Sequence, residues 1–162
     1  MYNLFRLWQS QTKWSVADKE PGGFVPTRLL EEGKNPGLGI RNLHRKDIDG
    51  QGVGIAIIDQ PALKEHQEYT DRILRYEAVG TEHDSPELHG TAVASIAVGR
   101  TCGVAPKSSL YYFAFPTWSW LDNEPWSELL TKIIELNGEL KDSPKIRVVS
   151  ISLGAFSERV NF

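Results

Sequence analysis

The chain has 162 residues, 40% apolar and 24% charged, with a formal net charge of -3. That is the size of one ordinary domain with enough apolar residues for a real core. Its lysines and arginines are scattered rather than clustered, so it carries no electrostatic footprint for nucleic acid or an anionic membrane, and neither is expected as a partner. The single cysteine, Cys102, excludes an intrachain disulfide and four-cysteine zinc patterns and reads as a small buried filler.

Residues 1–50 are polar, rich in Gly and Pro (Pro21-Gly22-Gly23, Asn35-Pro36-Gly37), and lack sustained periodicity. They read as an arm wrapped on the domain, with a short helix over 28–32. The first ten residues mix Asn3, Arg6 and Gln9 with apolar ones, unlike a secretory leader, and no run reaches the length of a membrane span. A cytoplasmic protein is therefore expected.

From Val53 onward strands alternate with helices, which argues for an α/β domain over 51–162 with a parallel central sheet between helical layers. The run 53–58 is continuously apolar and β-branched, as for a strand covered on both faces, and it ends in an acid, Asp59. A helix follows over 89–98, opened by His89, whose Ala92, Ala94 and Ala97 allow a close approach to the sheet. Gly103-Val104-Ala105-Pro106 turns the chain into a second strand over 109–115. The next helix spans 124–136, with Pro125 in its first turn and Gly138 just past its end. A third strand covers 145–152, and all three strands are expected to be parallel.

In an open parallel sheet ligands bind at the carboxyl ends of the strands, where Asp59 stands. A helix N-terminus disfavours the imidazolium, which biases His89 toward the neutral base form. A buried carboxylate that accepts from one imidazole nitrogen fixes the tautomer and leaves the other nitrogen free to take a proton. Gly90 admits close approach of another segment, and the Thr91 hydroxyl can bond local backbone.

Here the sequence resembles the subtilisin-like serine proteases, the subtilases, whose motifs are an apolar strand ending in an acid and a His-Gly-Thr opening a helix. The match extends from Gly52 to Gly154: the 30-residue separation of Asp59 from His89, the Gly103-Val104-Ala105-Pro106 turn, and the strand ending Ser150-Ile151-Ser152-Leu153-Gly154 all fit. The resemblance implies a three-layer αβα subtilisin-like fold, Asp59 as the orienting acid and His89 as the general base. It also implies that Ser152, Leu153 and Gly154 offer backbone groups to an extended peptide, which adds as a strand. Trp118 and Trp120, just past the second strand, read either as caps on the core or as walls of substrate subsites. Two departures stand out: Gln60-Pro61 follow the acid where the family has a small residue and Gly, and Ala92 stands where it often repeats a histidine. They suggest a divergent, bacterial-type branch.

The family's serine and oxyanion-hole asparagine follow the histidine well beyond the Ser-Leu-Gly strand, and no Gly-Thr-Ser context occurs in this chain. Ser157 sits in Phe-Ser-Glu, Ser95 and Ser119 lack a presenting turn, and Asn161 is too close to Ser-Leu-Gly. The expectation is the N-terminal part of a serine endopeptidase, incomplete at the C-terminal side and inert alone. Its partners would be a peptide or protein substrate and the remainder of its own catalytic domain. No cofactor is required for that chemistry; family members often hold structural calcium, but their ligand positions find no match here. The alternative is a noncatalytic half-domain that binds a peptide or partner through its exposed sheet edge, and a small-molecule α/β binding protein comes third. The glycines 50–54 precede their strand, unlike a dinucleotide loop, and Glu82, His83, Asp84, Glu87 and His89 match no usual zinc spacing.

Overall fold

The computed structural model describes residues 25–35, 37–80, 85–115 and 124–152. Two short helices, α1 (Pro26–Gly33) and α2 (Ile40–His44), precede strand β1 (Gly54–Asp59). A single 3-10 turn (Thr70–Arg72) leads into β2 (Ile73–Ala78), followed by α3 (Leu88–Val98), β3 (Ser109–Ala114), α4 (Glu124–Glu139) and β4 (Ile146–Ile151). The four strands form one sheet in the order β2-β3-β1-β4, and every pairing is parallel. The three strands expected from sequence are all members, and a fourth, β2, joins them.

Residue parity along β1 explains the layers. Ile55 and Ile57 point into a cluster with Ala94 and Val98 of α3 and with Leu110, Tyr112 and Ala114 of β3. Ala56 and Ile58 point the other way, toward Leu129, Ile133 and Leu136 of α4 together with Tyr111 and Phe113. Every residue of β1 is buried, which is why its sequence shows no alternation and reads as a continuous apolar run. Each fully buried Ile or Leu adds about 1.5–3 kcal/mol. On α4, Leu130 and Ile134 remain exposed, so the helix turns a narrower face to the sheet than its composition allows.

Short polar ties set the strand starts. Lys107 Nζ lies 2.6 Å from Asp49 Oδ2, Lys107 N–H donates to Asp49 O, and Ser108 Oγ donates to Gly50 O at 3.0 Å. The turn before β1 is thereby laced to the turn before β3. Gly50 has φ +87 and a Cβ there would sit 2.1 Å from Ser108 Oγ, so only glycine fits.

Helix α4 continues through Gly138 to Glu139, past the end expected from sequence. The cause is tertiary: Lys145 Nζ donates to the carbonyls of Asn137 (2.6 Å) and Gly138 (3.3 Å). The Asn137 side chain also exchanges two hydrogen bonds with the backbone of Ile146. These partners satisfy the last-turn carbonyls that would otherwise favour a glycine stop.

The two edges of the sheet differ. The β2 edge carries Arg75 and Glu77, paired at 2.9 Å and joined by Lys132 from α4, the charged protection typical of an exposed edge. The β4 edge instead leaves Val148, Val149 and Ile151 exposed. Among the described residues no helix is long and apolar enough to cross a membrane.

Candidate functional site

Asp59 ends β1 on the same face as Ile55 and Ile57, and that face is covered by α3. Alternation along the strand alone therefore aims its carboxylate at the helix opened by Leu88 and His89. His89 Nδ1 lies 2.6 Å from Asp59 Oδ1, well inside hydrogen-bond reach. Asp59 is fully buried while half of the His89 side chain is exposed. The acid thus lies under the ring and the ring faces outward, so the described geometry joins the two residues that the sequence had set 30 positions apart. With Nδ1–H engaged by the carboxylate, Nε2 is the nitrogen left to exchange a proton.

The loop leaving β1 is tied to the acid itself and to the N-terminal end of α3. Gln60 N–H donates to Asp59 Oδ1 at 2.7 Å. Pro61 O accepts from Glu87 N–H at 2.7 Å. Leu63 N–H donates to Thr91 Oγ1 at 3.0 Å, and that hydroxyl donates to Glu87 O at 2.9 Å. Thr91 therefore bonds local backbone and also reaches across to the acid's loop. Gly90 is the point of closest approach, since a Cβ there would meet Gln60 O at 2.0 Å and Tyr112 Oη at 2.3 Å.

Burial pushes the Asp59 carboxyl above the ordinary aspartate range, against the hydrogen bonds from His89 and the Gln60 N–H, which lower it. Its second oxygen, Oδ2, is buried with no hydrogen-bond partner among the described residues. A carboxyl whose folded-state pKa lies above its unfolded value stabilises the fold only in its protonated form. That contribution is present below the unfolded pKa and is lost as pH rises through the folded one. Ionised Asp59 is therefore a net burden at neutral pH. Asp59→Asn is expected to raise the melting temperature at pH 7, with the advantage narrowing as pH falls toward 4; thermal melts across that range check it. An advantage that instead grows at acid pH would mean that the ionised form is the stabilised one.

Cys102 is half-buried, its Sγ 3.4 Å from Ser95 O and 3.9 Å from the Glu68 carboxylate. Glu68 is itself held by the Thr101 N–H and hydroxyl at 2.8 Å each. Burial first, and the nearby carboxylate second, push the thiol up to about 11, which leaves little thiolate at neutral pH. Cys102 is expected to react with an aromatic disulfide reagent at pH 8 far more slowly in the native protein than after denaturation. A native rate equal to the denatured one would remove the filler role.

Among the remaining sequence candidates, Ser152 is exposed one position past the Ile58–Ile151 pair, at the sheet edge where Asp59 lies. Leu153, Gly154, Trp118 and Trp120 lie outside the described residues, as do Glu82, His83 and Asp84. No cluster of three or more His, Cys, Asp or Glu able to hold a metal occurs among the described residues. Sequence reasoning missed Tyr76 and Tyr112, whose hydroxyls both end on the loop after Asp59. The available signal was a tyrosine at the β3 position that shares Asp59's face of the sheet.

The chain is 32% identical over 108 residues to an alkaline proteinase from Hapsidospora chrysogena, a match covering 60% of this chain and 27% of that protein. It is 32% identical over 85 residues to the subtilisin-like protease PopC from Myxococcus xanthus, covering 45% and 18%. To subtilisin-like protease 2 from Arthroderma otae it is 34% identical over 89 residues, covering 46% and 21%. Over the matched span the chain is similar to subtilisin-like proteases. Its parallel αβα sheet agrees with that similarity. The chain spans about a quarter or less of the length of the curated relatives it matches. No protein-family model matches it.

Proposed function

We propose that this chain forms the N-terminal part of a subtilisin-like serine endopeptidase, with Asp59 as the orienting acid and His89 as the general base. The observation that carries the reading is the 2.6 Å contact between buried Asp59 and half-exposed His89, at the carboxyl edge of a parallel sheet in a chain similar to such proteases over the matched span. In the complete enzyme a serine C-terminal to residue 162 attacks the peptide carbonyl as His89 Nε2 takes its proton. The imidazolium then protonates the leaving amine, and water repeats the cycle on the acyl-enzyme. Asp59 stays ionised throughout, which is the use made of its costly burial. Ser152, Leu153 and Gly154 line the extended peptide, and Trp118 and Trp120 wall its subsites. The chemistry needs no cofactor.

The exposed apolar edge formed by Val148, Val149 and Ile151 favours a partner along β4. On the protease reading that partner is the remainder of the catalytic domain; on the alternative reading it is a foreign peptide bound by a noncatalytic half-domain. The test is to express the 162-residue chain and the longer reading frame side by side. Fluorogenic-peptide hydrolysis and labelling by a serine-directed fluorophosphonate are then measured on both. Hydrolysis and labelling by the longer product alone are expected. A longer product that is inert in both assays, while the short chain captures extended peptides, would favour the noncatalytic module.

A further inference from the structure

Tyr112 is fully buried in the middle of β3, paired in register with Ile57 of β1 on one side and with Tyr76 of β2 on the other. The Tyr76 and Tyr112 rings stack at 5.2 Å with only 6° between their planes. A buried tyrosine hydroxyl needs a partner, and the hydroxyls of buried Tyr112 and partly buried Tyr76 both find theirs on one loop. Tyr112 Oη donates to Gln60 O. Tyr76 Oη accepts from Ala62 N–H at 3.1 Å and reaches Ala62 O at 3.4 Å.

That loop is the one leaving Asp59. Gln60 is held at its carbonyl by Tyr112 and at its N–H by Asp59 Oδ1, and its carbonyl is the atom against which Gly90, next to His89, packs most closely. The backbone between acid and helix is therefore pinned from below, at alternate residues, by two hydroxyls on a rigid stacked pair. Pro61, between the two pinned residues, has a fixed φ and adds stiffness.

We propose that the stacked Tyr76–Tyr112 pair is a positioning clamp for the Asp59–His89 dyad. Neither tyrosine touches the reacting atoms. The clamp sets the distance and angle between carboxylate and imidazole by holding Gln60 and Ala62, in a chain where Gln60-Pro61 follow the acid. The catalytic consequence rests on the protease reading, whereas the geometric one does not.

The test compares single hydroxyl deletions in the full-length protein. Tyr111 is the control: it neighbours Tyr112 on β3 but faces α4, and its hydroxyl donates to Pro144 O at 2.9 Å, far from the dyad. Tyr112→Phe, Tyr76→Phe and Tyr111→Phe each remove one hydroxyl and keep the ring, so their losses in melting temperature should be similar. Two further readouts are the kcat and KM of peptide hydrolysis and the low-field proton resonance of the His89 Nδ1–H, assigned by its disappearance in His89→Ala. Tyr112→Phe is expected to lower kcat about tenfold at nearly constant KM and to shift and broaden the resonance. Tyr76→Phe should do the same more weakly, and Tyr111→Phe should change neither. If Tyr112→Phe fails to fold, the Tyr76→Phe against Tyr111→Phe comparison decides alone. A resonance and kcat that respond equally to all three variants, or to none, overturn the clamp. A protein without hydrolytic activity whose resonance still responds to Tyr112→Phe upholds the clamp and removes the protease reading instead.

Discussion

On the protease reading, replacing His89 with alanine in the full-length protein should abolish peptide hydrolysis, lowering kcat on the order of 10⁶-fold with KM little changed. A serine hydroxyl is a weak nucleophile until a neighbouring base takes its proton, and the same imidazole must return that proton to the leaving amine. Both steps belong to the transition state, so the loss falls on kcat. Asp59→Asn should cost less, on the order of 10⁴-fold, since the acid acts only through the ring. The Asn side chain can still occupy the space beneath His89, but it no longer selects the tautomer that leaves Nε2 free nor stabilises the imidazolium. Steady-state kinetics on wild type and the two single variants, and on the double variant, measure this. The double variant should be no worse than His89→Ala, because residues that act as one unit are not additive. Substantial turnover by His89→Ala would remove His89 from the chemistry, whatever its geometry.

The second large effect is structural. Gly90→Ala should destabilise the fold by about 3 kcal/mol and lower the melting temperature by roughly 10 °C. The added methyl would lie 2.0 Å from Gln60 O and 2.9 Å from its carbonyl carbon, as well as 2.3 Å from Tyr112 Oη. The first two are backbone atoms that cannot swing aside without breaking the bond from Tyr112 or the one to Asp59. Helix α3 would have to back away from the acid's loop, so the dyad should open as stability falls. Gly138→Ala is the matched comparison: nothing lies within 4 Å of its Cβ position and it sits in regular helix. That change should be neutral or stabilising, by up to about 1 kcal/mol. Equal melting temperatures for Gly90→Ala and wild type would mean that α3 and the loop are not in contact in solution.

Much of the architecture was legible from residue order because its causes are local. A run such as 53–58, apolar at every position, can only be a strand buried on both faces when helical segments follow it. The acid at its end and the histidine at the next helix start mark the site for the same reason: in a parallel sheet those two ends share an edge. Strand β2 was not legible. Its sequence, Ile73-Leu74-Arg75-Tyr76-Glu77-Ala78, has neither a continuous apolar run nor clean alternation, because an edge strand has only part of its surface to bury. Its register is also irregular between Ile73 and Arg75. The end of α4 misled for a related reason, since Gly138 is a stop signal locally but Lys145, seven residues on, caps the carbonyls that a stop would have freed.

The sequence by itself determined the parallel αβα arrangement and the identity of the two residues that meet at its carboxyl edge. Both follow from burial parity and from the direction in which parallel strands and their crossover helices run. Only the tertiary structure decided how the pair is held. The 2.6 Å approach of His89 to Asp59, the reason position 90 must be glycine, and the convergence of Tyr76 and Tyr112 on Gln60 and Ala62 depend on segments up to 52 residues apart. Nothing in a tyrosine's immediate neighbours says which carbonyl its hydroxyl will reach. That depends on strand register and on the path of a loop, and these are settled only when β1, β2, β3 and α3 pack together.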